Sequence, residues 1–492
     1  MPFNSIVFLF YFLPLVLAVF YLVPGKVKNL VLLFFSLLFY TWGDKVLVLV
    51  LLYSVFANFH CALLMEGGKR KLGLALSLII NLLFLGFFKY YNFTVSSVQD
   101  FLMFFNVNLT FLSSVAGLTV PLGISFYTFK IISYSLDVYH KKTKASTNII
   151  EFATFVTMFP TLIAGPIVRY VDIQQQLSKK NISIANFACG IERFIIGLAK
   201  KMLIANTFAA VADSIFGTQV SDLSTTMAWV GVVAYTFQIY FDFSGYSDMA
   251  IGLAKMFGFD LLENFNYPYV AKNIGDFWRR WHISLSNWLR DYLFLPIAYS
   301  VSRKLKKESY ASMRTDHIIY LIAIFITFLV CGIWHGAAMN FIAWGLWYAM
   351  FIAIEHVGFR KVLKRLWRPL QHLYTLMVIM LGWVIFRVAS LSDAAHYFFK
   401  MFNFSPGDAS VNSYLSFFTF TREFWFITLL AIIFSLPAYG FIRDKFKMQI
   451  MNKIHIKILI HYLRIVVLLI LLIISVSYIS SGTINAFIYA QF

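Results

Sequence analysis

Long apolar runs set the hydrophobic pattern of this chain. They are continuous rather than alternating, and most approach the roughly 20 residues that an α-helix needs to cross a bilayer. Their starting positions lie near Ile6, Leu30, Val46, Leu72, Thr119, Phe152, Phe187, Met227, Ile318, Ala337, Leu373, Phe424 and Ile458. The pattern disfavours a porin-type barrel, whose strands alternate, and predicts an all-α, polytopic membrane bundle of roughly 11–14 helices.

The composition of the 492-residue chain supports this prediction. Apolar residues make up 60% of the chain and charged residues 13%, whereas soluble proteins average about 45–50% and 25%. A soluble domain cannot bury so much apolar surface, so the composition excludes an ordinary globular protein.

Basic residues exceed acidic ones, with 41 Lys and Arg against 22 Asp and Glu and a net charge of +19. No soluble basic domain is present to bind nucleic acid, so we expect no nucleic-acid partner. In membrane proteins the basic excess lies in cytoplasmic loops. The basic clusters lie at residues 26–28, 69–71, 141–144, 303–307, 360–368 and 443–447. Placing them all inside predicts that 303–314 faces the cytoplasm, whereas both termini, 92–114 and 390–420 face outward.

The region between Lys144 and Arg303 does not divide into regular spans. Proline and glycine interrupt its apolar runs at Pro160, at Gly165-Pro166 and at Pro268. Non-helical backbone at membrane depth is tolerated only where it is buried in protein or lines a cavity. We therefore expect broken and re-entrant segments in this region, and the functional site among them.

Polar side chains within apolar runs indicate either function or a buried polar network. The run that begins near Met227 carries two carboxylates, Asp242 and Asp248, with Ser244 between them. They could line a polar cavity, or they could form a buried network paired with Arg279 or Arg280. We favour the network, because buried polar groups are stabilised by fully satisfied hydrogen bonds.

A second polar patch, residues 276–292, is rich in tryptophan and arginine. Trp278, Trp281 and Trp288 recur at helical spacing, which predicts one helix with an aromatic stripe. It is either an interfacial amphipathic helix or a helix at a cavity mouth whose arginines face a phosphate-bearing donor. The other polar members of interest are Arg279, Arg280, His282, Ser284 and Arg290.

A third patch ends the apolar run that begins near Ile318, and it contains Trp334, His335, Gly336 and Asn340. A helix that starts near residue 317 would place His335 about 27 Å along its axis, in the outer half of the membrane. Glycine neighbours would let another group approach the imidazole, which can act as a general base near neutral pH. An isolated buried histidine is nevertheless more often structural than catalytic.

Metal and disulfide chemistry find little support in the sequence. Cys61, Cys189 and Cys331 lie in apolar surroundings without a CxxC pair. No Cys, Asp or Glu stands at metal-ligand spacing from His282 or His335. We therefore expect no structural disulfide and no bound metal.

Several motifs together resemble the membrane-bound O-acyltransferase superfamily. The two most informative are Trp-Arg-Arg-Trp-His, which ends at His282, and Trp-His-Gly around His335. Further stretches at 121–129, 159–170, 240–248 and 381–387 resemble the branch typified by the bacterial alginate O-acetylation membrane subunit. The resemblance covers nearly the whole chain.

The resemblance implies a helical bundle around a central tunnel, with an acetyl group passing from cytoplasmic acetyl-CoA to an extracytoplasmic polysaccharide. It places the catalytic histidine at His335 and a second catalytic position at His282. It also implies a bacterial inner-membrane location, an extracytoplasmic acetyltransferase partner and no permanently bound cofactor. The candidate donor- or substrate-binding residues are Trp278, Arg279, Arg280, Trp281, Ser284, Arg290, Trp334 and Asn340. The expected division is N-terminal helices, 1–116, a catalytic core, 117–357, and C-terminal helices, 358–492.

Two other functions stay open from the sequence. With a carrier-protein donor the enzyme would transfer D-alanine to teichoic acid, and the basic loop 303–307 would allow an acidic carrier to dock. A transporter would carry structural repeats with paired broken helices, and no such internal symmetry is evident in the sequence.

Overall fold

Helices dominate the computed structural model, which describes residues 1–105, 119–310, 313–437, 454–482 and 487–488. The strands among these residues are Ser309–Tyr310 (β1) and Met313–Arg314 (β2). They pair antiparallel, with Ser309 opposite Arg314. The prediction of an all-α, polytopic membrane protein is confirmed.

Seven helical segments within the described ranges are long and apolar enough to cross a membrane, or eight if one bent pair counts as a span. The bent pair, Ala409–Phe417 and Arg422–Ser435, turns by 70°. The seven segments are Gly25–Glu66, Arg70–Gln99, Ile184–Phe216, Thr315–His335, Met339–Arg365, Arg368–Arg387 and Ile458–Ser480. The chain is therefore a multi-pass membrane protein.

The first part of the chain contains helices α1 to α7. In chain order they span Leu13–Leu22, Lys28–Asp44, Val48–Glu66, Arg70–Phe104, Ile124–Tyr139, Ile149–Thr157 and Tyr170–Ser178. Helix α4 has 35 residues, which is about 52 Å at 1.5 Å per residue, so it is longer than a bilayer core is thick. The segment predicted to face outward, 92–114, begins within α4, and its residues 106–114 lie outside the described part of the chain.

The remaining helices are α8 to α21. Helices α8 to α13 span Ile184–Ala199, Asn206–Phe216, Thr225–Met256, Ile274–Trp278, Ile283–Leu289 and Leu295–Lys304. Helices α14 to α21 span Thr315–His335, Met339–Ile354, Arg360–Arg365, Arg368–Arg387, Leu391–Phe402, Ala409–Thr419, Arg422–Ser435 and Ile454–Ser480.

Helices α8 and α10 pack closely at the centre of the bundle because glycines face one another across their contact. A Cβ atom at Gly252 would lie 2.6 Å from the carbonyl oxygen of Gly190, and one at Gly245 would lie 2.8 Å from that of Gly197. Small residues let helix backbones approach in this way in membrane proteins. Most of α10 is buried.

The breaks predicted in the centre of the chain are confirmed. A 3-10 turn, Phe159–Thr161, follows α6, and residues 162–169 contain no helix. Residues 257–267 are also non-helical, and the 3-10 turn Pro268–Val270 leads from them toward α11. These irregular segments pack against α10 and α12, where they position the candidate site.

Candidate active site

His335 is the last residue of α14, as the sequence predicts, and its side chain is buried. Its imidazole packs among aromatic rings, with centroids 4.8 Å from Trp344 and 5.3 Å from Phe386. It also lines a cavity of about 320 Å³, the His335 cavity, together with Lys89 and Ser125. The predicted base therefore borders a space that a small group can enter.

The glycines beside His335 serve helix packing. A Cβ atom at Gly336 would lie 2.2 Å from the ring of Phe341, and one at Gly332 would lie 2.4 Å from the Phe341 carbonyl oxygen. The group that approaches closely at these glycines is therefore α15 of the same chain.

The prediction of a single helix with a tryptophan stripe over 276–292 is wrong. The segment forms two short helices, α11 and α12, because His282 between them has a left-handed backbone with φ 43° and ψ 55°. The change of direction separates the tryptophans, which are buried and not interfacial. Trp278 packs on Phe328, Trp281 on Trp383 and Trp288 on Phe129, at centroid distances of 5.1, 5.0 and 4.2 Å.

Asn264, which the sequence analysis missed, holds His282 in place. Its side-chain oxygen lies 3.1 Å from His282 Nδ1 and accepts hydrogen bonds from the Ser284 hydroxyl and backbone N–H at 2.8 and 3.2 Å. Because this oxygen only accepts, Nδ1 carries the proton in the neutral imidazole and Nε2 is the basic nitrogen. Ser284 in turn accepts from the Ile167 N–H at 2.9 Å, which ties the site to the broken segment after α6.

The structure brings His282 and His335 into one region of the core. Both side chains are buried. Aromatic rings connect them, because His335 contacts Trp344, Trp344 contacts Trp383, and Trp383 contacts Trp281, the residue before His282. The ring of Phe243 contacts His282 edge to face, with centroids 4.7 Å apart. The two histidines that share the candidate site therefore come from α14 and from the turn between α11 and α12.

The arginines of the same segment lie toward the surface. Arg279 and Arg290 have side chains that are 62% and 58% exposed. Arg279 and Arg280 pair with Asp276 at 3.3 Å, and Arg290 pairs with Asp291 at 2.7 Å. Their assignment to donor binding stays a prediction.

Trp334 and Asn340 have packing roles in the structure. The Trp334 ring stacks on Phe129 with centroids 5.1 Å apart. The Asn340 amide donates to the carbonyl oxygen of Val388 at 2.8 Å and so fixes the end of α17. Asn340 does not line the His335 cavity.

The buried carboxylates of α10 form a network, but the partners predicted for them are wrong. Asp242 pairs with Lys201 and also accepts from the backbone N–H of Ile488 at 2.8 Å. Asp248 pairs with Arg193 and Lys200 at 2.8 and 2.7 Å. Arg279 and Arg280 pair with Asp276 instead, whereas α8 and the π-turn after it, Lys200–Ala205, face α10 directly. Ser244 is buried on the same helix.

A second, larger cavity of about 880 Å³ opens among the basic loops, and we call it the basic cavity. Its cationic lining residues, Arg70, Lys141, Lys142 and Lys144, come from two of the predicted cytoplasmic clusters. Beside it, burial raises the pKa of Asp137, although the Tyr292 hydroxyl and the Lys142 ammonium act in the opposite direction.

Sequence reasoning also missed Lys89, although a signal was present. It is the one charged residue between Leu72 and Gln99, and ionisable groups within membrane helices usually mark functional sites. Asn264 gave no comparable signal, because it lies in a polar connection.

Metal binding is not indicated by side-chain geometry. In the parts of the chain that the structure describes, no three His, Cys, Asp or Glu side chains come together as a ligand set. The expectation of no bound metal and no permanent cofactor stays a prediction.

Comparison with known proteins identifies the family. Residues 76–391 match the membrane-bound O-acyltransferase family, and the match covers both histidines. The chain belongs to this family. It is an O-acyltransferase embedded in a membrane.

Similar proteins are named for acyl transfer to alginate, peptidoglycan or teichoic acid. A protein of Pseudomonas aeruginosa named probable alginate O-acetylase AlgI is 42% identical over 415 residues, which is 83% of this chain and 76% of that protein. The peptidoglycan O-acetyltransferase of Helicobacter pylori is 36% identical over 80% of this chain and 78% of its own length. The teichoic acid D-alanyltransferase of Bacillus subtilis is 30% identical over 53% of this chain and 65% of its own.

Proposed function

We propose that this O-acyltransferase passes an acetyl group from cytoplasmic acetyl-CoA through a tunnel in the helical core to a hydroxyl of an extracytoplasmic polysaccharide. The observation that carries the proposal is the pair of buried histidines in one core region, one of them bordering a cavity at the end of a membrane-spanning helix. The names of the more similar proteins, which are O-acetylases of alginate and peptidoglycan, support acetyl transfer to a glycan. The location is the bacterial inner membrane.

In this mechanism His335 is the general base. It removes the proton from the acceptor hydroxyl as the oxygen attacks the carbonyl carbon of the thioester, and it then returns the proton to the departing thiolate. His282 has its proton fixed on Nδ1 by Asn264, so its Nε2 accepts a hydrogen bond and positions an N–H group of the donor. The aromatic walls around both rings keep water out, which favours transfer to the acceptor over hydrolysis.

The donor enters from the side of the basic loops. The basic cavity supplies the cationic side chains that the phosphates of a nucleotide-bearing thioester require. The acceptor hydroxyl at His335 belongs to an extracytoplasmic acetyltransferase, the partner that then transfers the acetyl group to the polysaccharide. D-alanyl transfer is the second candidate, because teichoic acid D-alanyltransferases match about half of this chain.

Release of free thiol from acetyl-CoA tests the proposal, measured with membranes of producing cells that also contain the partner acetyltransferase and the acceptor polysaccharide. We expect His335→Ala to lower the rate about 10²–10⁴-fold, as expected for loss of a general base. His396→Ala, which alters an exposed histidine on α18, is the matched control. A wild-type protein that releases D-alanine from its carrier protein but no thiol from acetyl-CoA would overturn the acetyl assignment. Equal rates in the wild type and His335→Ala would overturn the role of His335.

A further inference from the structure

Lys89 of α4 places a positive charge at the wall of the His335 cavity. Its ammonium donates to the carbonyl oxygen of Trp334 and to the Ser125 hydroxyl at 3.3 Å. It also lies 5.6 Å from the centre of the Trp334 ring. The Lys89 ammonium is therefore bound to the backbone of Trp334, the residue that precedes His335.

This lysine has no carboxylate partner among the residues that the structure describes. Its hydrogen bonds go to neutral oxygens, and no ion pair includes it. A charged side chain inside a membrane protein is costly unless a counter-charge or polar groups compensate it. Since the described residues provide Lys89 with no carboxylate partner, the anion is expected to come from what occupies the cavity.

Helix capping explains only part of the arrangement. Lys89 and its neighbour Tyr90 both bond to the last turn of α14, where the Tyr90 hydroxyl donates to the Ile333 carbonyl oxygen at 2.5 Å. Carbonyls at a helix end need hydrogen-bond donors, and the neutral Tyr90 shows that a charge is not required for this purpose. Tyr90 does not line the His335 cavity, whereas Lys89 does.

A second source of positive potential faces the same space. Helix α5 begins at Ile124, and its first residues, Ile124 and Ser125, line the cavity. The amino end of a helix carries a partial positive charge. Gly123 before it has φ 70°, and a Cβ atom there would lie 2.3 Å from the Leu162 carbonyl oxygen, so the helix start is fixed against the broken segment after α6.

We propose that Lys89 is a catalytic residue that stabilises the negative charge formed on the acyl carbonyl oxygen during transfer. This inference rests on the proposed function. The acceptor oxygen forms a bond to the carbonyl carbon while its proton moves to His335, and the carbonyl π electrons move to the oxygen beside the Lys89 ammonium. Collapse of this intermediate re-forms the carbonyl, breaks the carbon–sulfur bond and returns the proton from His335 to the thiolate.

Lys89→Gln distinguishes the effect of the positive charge from that of helix capping. Glutamine keeps an N–H donor for the Trp334 carbonyl oxygen but carries no charge. We expect turnover of acetyl-CoA to fall about 10²–10³-fold, as for removal of an oxyanion donor, with little change in KM for the donor. Lys89→Arg keeps the charge and should retain more activity than Lys89→Gln. Tyr90→Phe removes a neighbouring cap without touching the cavity and should leave turnover near the wild-type value.

Ser125→Asp gives a second test that does not depend on the folding of a Lys89 variant. A carboxylate at this position would pair with Lys89, so the apparent melting temperature should stay the same or rise while turnover falls. Asparagine has the size of aspartate without its charge, so Ser125→Asn should reduce turnover much less than Ser125→Asp. Wild-type turnover in Lys89→Gln or in Ser125→Asp would overturn the inference and leave the proposed function intact, as would equal losses in Lys89→Gln and Tyr90→Phe. Absence of thiol release by the wild type would overturn the proposed function instead.

Discussion

Replacement of Asn264 by alanine should both destabilise the protein and disturb the site, because this side chain holds His282 and Ser284 in place. The side-chain oxygen accepts from three donors: His282 Nδ1 and the hydroxyl and backbone N–H of Ser284. The Asn264 amide also donates to the Ser247 hydroxyl at 3.1 Å. All of these groups are buried.

The magnitude follows from the number of donors left without an acceptor. The Ser284 hydroxyl lies 3.5 Å from His282 Nδ1 and can bond to it after a small shift, so about two buried donors lose their partner. At about 1–3 kcal/mol for each unsatisfied buried group, the destabilisation is about 2–6 kcal/mol. The freed imidazole also loses the contact that fixes its proton on Nδ1, so turnover should fall together with stability.

The assay is the apparent melting temperature in detergent, followed by thiol release from acetyl-CoA at a temperature where the variant is folded. Asn266→Ala is the matched control, because Asn266 is exposed and its recorded bonds use only its backbone. If Asn264→Ala has the same melting temperature and turnover as Asn266→Ala, the reasoning that Asn264 holds His282 is refuted.

Three further outcomes are expected. Gly252→Leu should prevent recovery of folded protein, because the leucine side chain would meet the backbone of α8. Gly86 has open space around it, so Gly86→Leu should fold normally. Equal yields of folded protein for the two variants in size-exclusion chromatography would contradict this. In a chain without its native cysteines, Phe105→Cys but not Lys306→Cys should react with an impermeant thiol reagent, and the reverse would overturn the orientation. Chelators should leave turnover unchanged and metal analysis should find no stoichiometric ion; a chelator-sensitive metal near one per chain would contradict the expectation that His282 is not a metal ligand.

The sequence was sufficient to predict the features that depend on local pattern. The long apolar run before His335 predicts a membrane-spanning helix, and the structure ends α14 at that residue. The proline and glycine positions likewise predict the breaks after α6 and before α11, because these residues restrict or free the backbone locally.

Features that depend on distant contacts could not be predicted in this way. The left-handed backbone at His282 is stabilised by the segment around Asn264, whose carbonyl oxygen accepts from the Ile283 N–H at 2.9 Å. Helical spacing of tryptophans carries no information about such a contact. The partner of Asp242 is one lysine among many in the chain, and only the packing of α10 against the π-turn after α8 selects Lys201.

The O-acetyl ester content of the exported polysaccharide tests the central claim most directly. It should be measured in cells that lack the chromosomal copy and express either the wild type or His335→Ala at equal membrane levels. Wild-type cells should carry acetyl esters on the polymer, and His335→Ala cells should carry essentially none. Equal ester content in the two strains would contradict the assignment of His335 as the base that drives acetyl transfer.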